Sequence, residues 1–234
     1  MPAREALFEL DADLHRIFAH RLRSLVTYGA PLHSNHDAHI QTLAVVEGLT
    51  GDDLHSCATR VPAWHAASLA TPLLLDAQEL PQSLDAFPIE FSAILASYVV
   101  ISGVDPFVGC QLDLQQLRTA CELQARSHLL HLREDYLETE GRGSALAELI
   151  LESAPALAAL VTNIARLEGA GADGPDAAAQ HVEGVLGLTA GSLARVVTLA
   201  GGPGLSSDDA RKTWGAYLEG IERLTRYVDK WSPA

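Results

Sequence analysis

The stretch from Ser24 to Val46 limits what this chain can fold into more than any other. Ser24 to Tyr28 reads as a short strand, and Gly29-Ala30-Pro31 stops it. The loop Leu32 to Ala38 is polar and rich in His and Asn, and Ile40 to Val46 is a second strand ended by Gly48. A helix precedes the pair, because Leu7, Leu10, Leu14, Ile17, Phe18 and Leu22 recur at spacings of three and four. Helix, strand, polar loop and strand open a small α/β unit, and the loop is where polar chemistry gathers.

The rest of the chain divides in two. Up to about Gly109, short β-like runs alternate with helical ones. Leu73 to Leu75 is a third strand, Ala77 to Leu84 a short helix, and Ile89 to Phe91 and Tyr98 to Ile101 are the remaining strand candidates. Gly103-Val104-Asp105-Pro106 then turns the chain. From Leu112 onward the apolar spacing is helical throughout. Leu112 to Leu137 is followed by a helix that Ser144 can cap, running to Leu167 across Pro155. Two shorter helices lead to a last one behind Ser206 or Ser207, whose apolar face is Trp214, Tyr217, Leu218, Ile221, Leu224 and Val228. The expected organisation is an α/β domain over residues 1–110 and a helical bundle over residues 111–234.

Composition removes several classes. Thirty acidic residues against 16 basic give a net charge of −14, and no basic stripe offers itself to nucleic-acid phosphates. The 16 basic residues are 14 Arg and two Lys, and this bias with abundant Ala, Leu and Gly fits a GC-rich bacterial genome. No run approaches 18 consecutive apolar residues, so no membrane span is expected, and Met1 to Leu14 lacks the apolar core of a signal peptide. Cys57, Cys110 and Cys121 are odd in number and widely spaced, which fits free thiols in a reducing cytoplasm.

Ser24-Leu-Val-Thr-Tyr-Gly-Ala, the polar loop, and His39-Ile-Gln-Thr-Leu-Ala-Val-Val together resemble the core of the nucleotidyltransferase superfamily. That core has a helix, a strand ending in Gly-Ser, a loop of about ten residues, and an Asp-x-Asp strand. The likeness extends to Pro72-Leu-Leu-Leu-Asp-Ala-Gln-Glu-Leu, Phe87-Pro-Ile-Glu-Phe, Val100-Ile-Ser-Gly-Val-Asp-Pro-Phe and the stretch Leu218 to Asp229. These are similar to bacterial nucleotidyltransferase-like proteins with helical C-terminal halves. The resemblance implies an α+β fold: a small mixed β-sheet with flanking helices, followed by an all-α bundle of four to five helices. In such a site the glycine lets the backbone approach phosphates, and the two carboxylates hold magnesium, which activates the attacking hydroxyl.

This chain departs from the pattern where the chemistry sits. Gly29 and Ala30 occupy the phosphate-binding positions, and Ala30 lacks the serine hydroxyl. His39 and Gln41 stand where the paired carboxylates belong, and neither suits magnesium. Glu90 lies in an expected strand where the third carboxylate of the family falls. The leading expectation is a scaffold that has lost the reaction and serves as a ligand-binding or interaction module, for a nucleotide, a small molecule or a protein partner. A second copy is also an expected partner, through the apolar face of the last helix. Two alternatives stand beside it. One is a magnesium-dependent nucleotidyltransferase using Asp37, Glu90 and a further acid such as Asp76 or Glu47. The other is a metal protein centred on His33, His36, Asp37 and His39, four potential ligands within seven residues. Arg118, Arg126 and Arg133 read as surface partners of Glu122, Glu134 and Asp135, and His128 and His131 as one polar stripe.

Overall fold

A computed structural model of the chain describes residues 3–29, 39–171, 174–200, 202 and 204–232. The chain divides into two compact units, Met1–Leu112 and Asp113–Ala234.

The first unit is built on a four-stranded sheet. Helix α1 (Ala3–Phe18) carries Leu7, Leu10, Leu14 and Phe18 on its buried side, and a 3₁₀ turn (Ala19–Arg21) delivers the chain into β1 (Leu22–Tyr28). Strand β2 (Gln41–Val46) returns antiparallel to β1, and β3 (Leu73–Asp76) lies parallel to β2 after α2 (Gly51–Ala58) and α3 (Val61–Ala66). Helices α4 (Leu80–Ala86) and α5 (Pro88–Ala96) lead to β4 (Tyr98–Gly103), which closes the order β3-β2-β1-β4. Both faces of the sheet are covered. Leu25, Ala44 and Val46 pack under α1 with Cys57 and Trp64, while Val26, Leu43 and Val45 pack under Leu80, Leu84, Phe91 and Ile94. Strand alternation sorts the two sets.

Glu90 corrects an expectation. It lies not in a strand but in the first turn of α5, exposed, behind Pro88 at the helix start. Pro88 fits the first helical turn because its missing N–H is unneeded there, and a carboxylate in that turn meets the positive end of the helix dipole. Phe91 and Ile94, three residues apart, are the buried side. The apolar run Ile89 to Phe91 is therefore a helix start rather than a strand.

Ion pairs on two buried carboxylates fasten this unit. Asp13 on α1, 4% exposed, accepts from Arg60 Nε at 2.9 Å, Trp64 Nε1 at 3.0 Å and Arg16 at 2.7 Å. Burial pushes its pKa up, but those three donors outweigh burial and hold it below the usual range. Asp53 takes Arg21 in a two-point contact at 2.9 and 2.6 Å, and also forms the capping box of α2 with Thr50. The Arg21 hydrogen bonds lead the forces that hold Asp53 far below its usual pKa.

The second unit is helical. It comprises α6 (Leu114–Glu138), α7 (Gly143–Leu167), α8 (Pro175–Leu186), the four-residue α9 (Ala194–Val197) and α10 (Ser207–Lys230). Helix α7 packs against the other four and is long and apolar enough to cross a membrane by length and composition. Ile150, Leu157, Leu160 and Val161 on it are fully buried in this unit, which accounts for that apolarity. The helix begins at Gly143, behind Arg142 rather than capped by Ser144. Glu183 of α8, 4% exposed, accepts from the backbone N–H groups of Gly191, Leu193 and Ala194 and so fixes the turn into α9.

The face of α10 expected to meet a partner is used inside the unit. Tyr217, Ile221, Leu224 and Val228 are all fully buried, and Trp214 stacks on Tyr136 of α6 at 4.4 Å between ring centres. Apolar groups turn outward instead on α6, where Leu123, Leu130 and Leu137 recur every seven residues and are 65–75% exposed. The arginines of α6 find acids: Arg118 and Arg126 share Glu122, Arg126 also meets Asp229, and Arg133 meets Glu222. His128 parts from His131. Its Nε2 lies 2.8 Å from Tyr217 Oη, which donates to Ser153 Oγ at 3.0 Å, and burial lowers its pKa to about 4.

Candidate functional site

One end of the sheet holds the end of β1 and the starts of β2 and β4. The ladder sets Gln41, Tyr28 and Tyr98 side by side in one row. Tyr28 and Tyr98 pack with the Val26, Leu43 and Val45 cluster, and Gln41 alternates in phase with Leu43 and Val45. The row thus presents an amide and two phenols on one face. Burial raises the Tyr28 pKa, while the hydrogen bond to Asp105, then burial, raises that of Tyr98, so both are neutral donors at pH 7.

Asp105 is a residue that sequence reasoning passed over as part of a turn. Its carboxylate accepts from Tyr98 Oη at 3.0 Å and from Phe107 N at 2.9 Å. Phe107 in turn meets Tyr98 edge-on at 5.0 Å. The carboxylate that reaches this row is therefore engaged in holding a phenol in place.

Gly29 follows Tyr28 with φ +92°, a conformation that favours glycine, and a Cβ there would meet nothing within 4 Å among the described residues. Its backbone N–H donates to Ser97 O at 3.1 Å. Its amide is thus already committed to the residue before β4.

His39 and Gln41 are both exposed. The His39 ring stands edge-on to His65 of α3 at 6.2 Å, and His65 Nε2 lies 3.0 Å from Thr71 Oγ1. His39 is thus drawn toward α3, while Gln41 points with the opposite sheet face. Ala30, His33, His36 and Asp37 lie outside the described residues. Among the described residues, no three His, Cys, Asp or Glu side chains are grouped to hold a metal ion.

The other acids considered for this site stand elsewhere. Asp76 pairs with Val46, five residues along β2 from Gln41, which is roughly 17 Å at the strand rise. Its carboxylate accepts from Gln78 N and Leu49 N, which lower its pKa in that order. Glu47 lies one residue further and pairs with Arg23. Glu90 is seven residues up α5 from Ser97, about 10 Å along the helix. Asp76, Glu47 and Arg23 lie toward the far end of the sheet, whereas the side chains of the row itself, Gln41, Tyr28 and Tyr98, are uncharged and Asp105 is a described carboxylate that meets them. Magnesium requires several oxygen ligands, carboxylates foremost, at about 2.1 Å. The described donor set of amide, phenols and imidazole does not fit it.

A mixed sheet of order β3-β2-β1-β4 behind a leading helix, a β1–β2 hairpin opening at Gly29, and a trailing helical unit together make a nucleotidyltransferase-like fold. Among solved structures the chain is similar to the spectinomycin adenyltransferase AAD(9) from Enterococcus faecialis, solved with ATP and spectinomycin. The similarity has a TM-score of 0.58 over 97% of this chain and 99% of that one, at 12% sequence identity. No protein-family model matches the sequence, and no curated protein matches it.

Proposed function

We propose that this protein is a catalytically inactive nucleotidyltransferase-fold module that binds its ligand without magnesium. The observation that carries this reading is the row of uncharged side chains Gln41–Tyr28–Tyr98 at the end of the sheet where the sequence resemblance puts the paired carboxylates of the superfamily. Phenols and an amide orient a ligand by hydrogen bonds and ring contacts, as binding pockets commonly do. They do not bridge a metal to a triphosphate. The similar adenyltransferase was solved with ATP and spectinomycin, so a nucleotide or a small polar molecule is the ligand class to test first. A protein-contact role for the helical unit falls on the exposed leucines of α6, because the apolar face of α10 is spent internally.

Thermal unfolding in the presence of nucleoside triphosphates tests the reading. The expected shift with 1 mM ATP is small and the same with magnesium or with EDTA. A shift that grows several-fold on adding magnesium, together with label transfer from the α-phosphate to any acceptor, would establish the active enzyme instead.

A further inference from the structure

Among the described residues, Arg166 is a charge without an answer. It sits near the end of α7, part-buried, in a unit whose other part-buried arginine, Arg118, meets Glu122 at 2.8 Å. Among the described residues Arg166 meets no carboxylate. Its one hydrogen bond runs from an NH1 group to Asn163 Oδ1 at 3.0 Å. Asn163 is 4% exposed, and its Nδ2 donates to Gln124 Oε1 of α6 at 3.1 Å. Gln124 therefore fixes the amide of Asn163, and that amide aims the guanidinium.

Two nearby described groups that carry or gain negative charge do not serve it. Cys121 of α6 is fully buried, and burial pushes its thiol pKa up to about 12, so it stays neutral. Glu168, two residues on, accepts the Tyr227 hydroxyl of α10. Burial lowers the Arg166 pKa, the mark of a cation drawn from water without a matching anion. A partly desolvated guanidinium without a carboxylate is unfavourable, and a ligand oxyanion would supply the missing charge. Among the described residues, four of the five N–H donors of Arg166 have no partner, which suits a planar, two-point contact with an oxyanion.

We infer that Arg166, aimed by Asn163 and Gln124, is an oxyanion-binding site of the helical unit, taking a phosphate or carboxylate group. The inference rests on this unit alone and is independent of what the β-sheet binds.

The test is thermal unfolding of the full chain in inorganic phosphate, in acetate and in chloride at matched ionic strength, for the native chain and for Arg166→Met and Arg166→Lys. The native chain is expected to gain several degrees in phosphate or acetate over chloride, and the better of the two names the ligand chemistry. Arg166→Met is expected to lose that gain, and to be at least as stable as the native chain in chloride, because it removes a charge that no described carboxylate meets while keeping the side-chain bulk. Arg166→Lys retains part of the gain. Equal melting temperatures for the native chain in all three salts overturn the inference.

Discussion

Gly103→Ala is expected to cost about 2–5 kcal/mol and to detach β4 from β1. Gly103 ends β4 opposite Ser24 with φ +81°, and a Cβ there would lie 2.1 Å from Arg23 O and 2.9 Å from Ser24 Cα. Both are backbone atoms, so no side chain can swing away. The left-handed conformation adds about 1–2 kcal/mol for a residue with a Cβ, and forced overpacking about 1–3 more. Gly109→Ala separates the two contributions, since Gly109 has φ +78° but nothing within 4 Å of an added Cβ. It is expected to cost only about 1–2 kcal/mol. Hydrogen exchange at the β1 and β4 amides measures both, and equal losses for the two variants would contradict the close packing of Gly103 on β1.

Asp13→Asn is expected to cost about 2–4 kcal/mol at pH 7. Removing one partner of a buried pair costs about 3–5 kcal/mol, and the lower figure here reflects the half-exposed arginines around Asp13. Trp64 Nε1 and Arg60 Nε would both face an amide where a carboxylate stood. The effect depends on pH with a definite sign. The carboxyl pKa is held down in the folded state, so its contribution is fully present above the unfolded value of about 3.9. It is lost as pH falls through the lower folded value. The gap between the native chain and Asp13→Asn should therefore be constant from pH 8 to 5 and close below about pH 4. Urea unfolding followed by the fluorescence of Trp64, the single tryptophan of residues 1–112, measures it in variants with phenylalanine at the other two tryptophan positions. A gap that widens in acid would remove the charged network as its cause.

Most of the architecture was legible in the sequence because it is written in local periodicity. The α1 face, the β1–β2 hairpin, β3 and β4, and the long helices all repeat at the spacing their structure requires. Where reading failed, the reason is physical. Ile89-Glu90-Phe91 is too short for its period to separate strand from helix, and only Pro88 at the first turn, with Ile94 buried beyond, decides for α5. The apolar face of α10 was visible, but periodicity does not say what covers a face.

The site was less legible than the fold. Gly29, His39 and Gln41 were found by resemblance to a pattern, whereas the row Gln41–Tyr28–Tyr98 exists only once strand register is known. Asp105 was hidden in a turn, because its partner Tyr98 is seven residues away and joined to it by geometry rather than by a motif. Asp13–Arg60 and Arg21–Asp53 span 47 and 32 residues and leave no local trace. Arg166 drew no notice, since an arginine reveals that it lacks a carboxylate only when its surroundings are known.

We propose that this fold keeps the sheet of a nucleotidyltransferase but not its magnesium–nucleotide chemistry. Calorimetric titration of ATP into the full chain, with magnesium and then with EDTA, tests it most directly. The account predicts either no heat or a weak affinity that is the same within twofold in the two buffers. An affinity at least tenfold tighter with magnesium would contradict it.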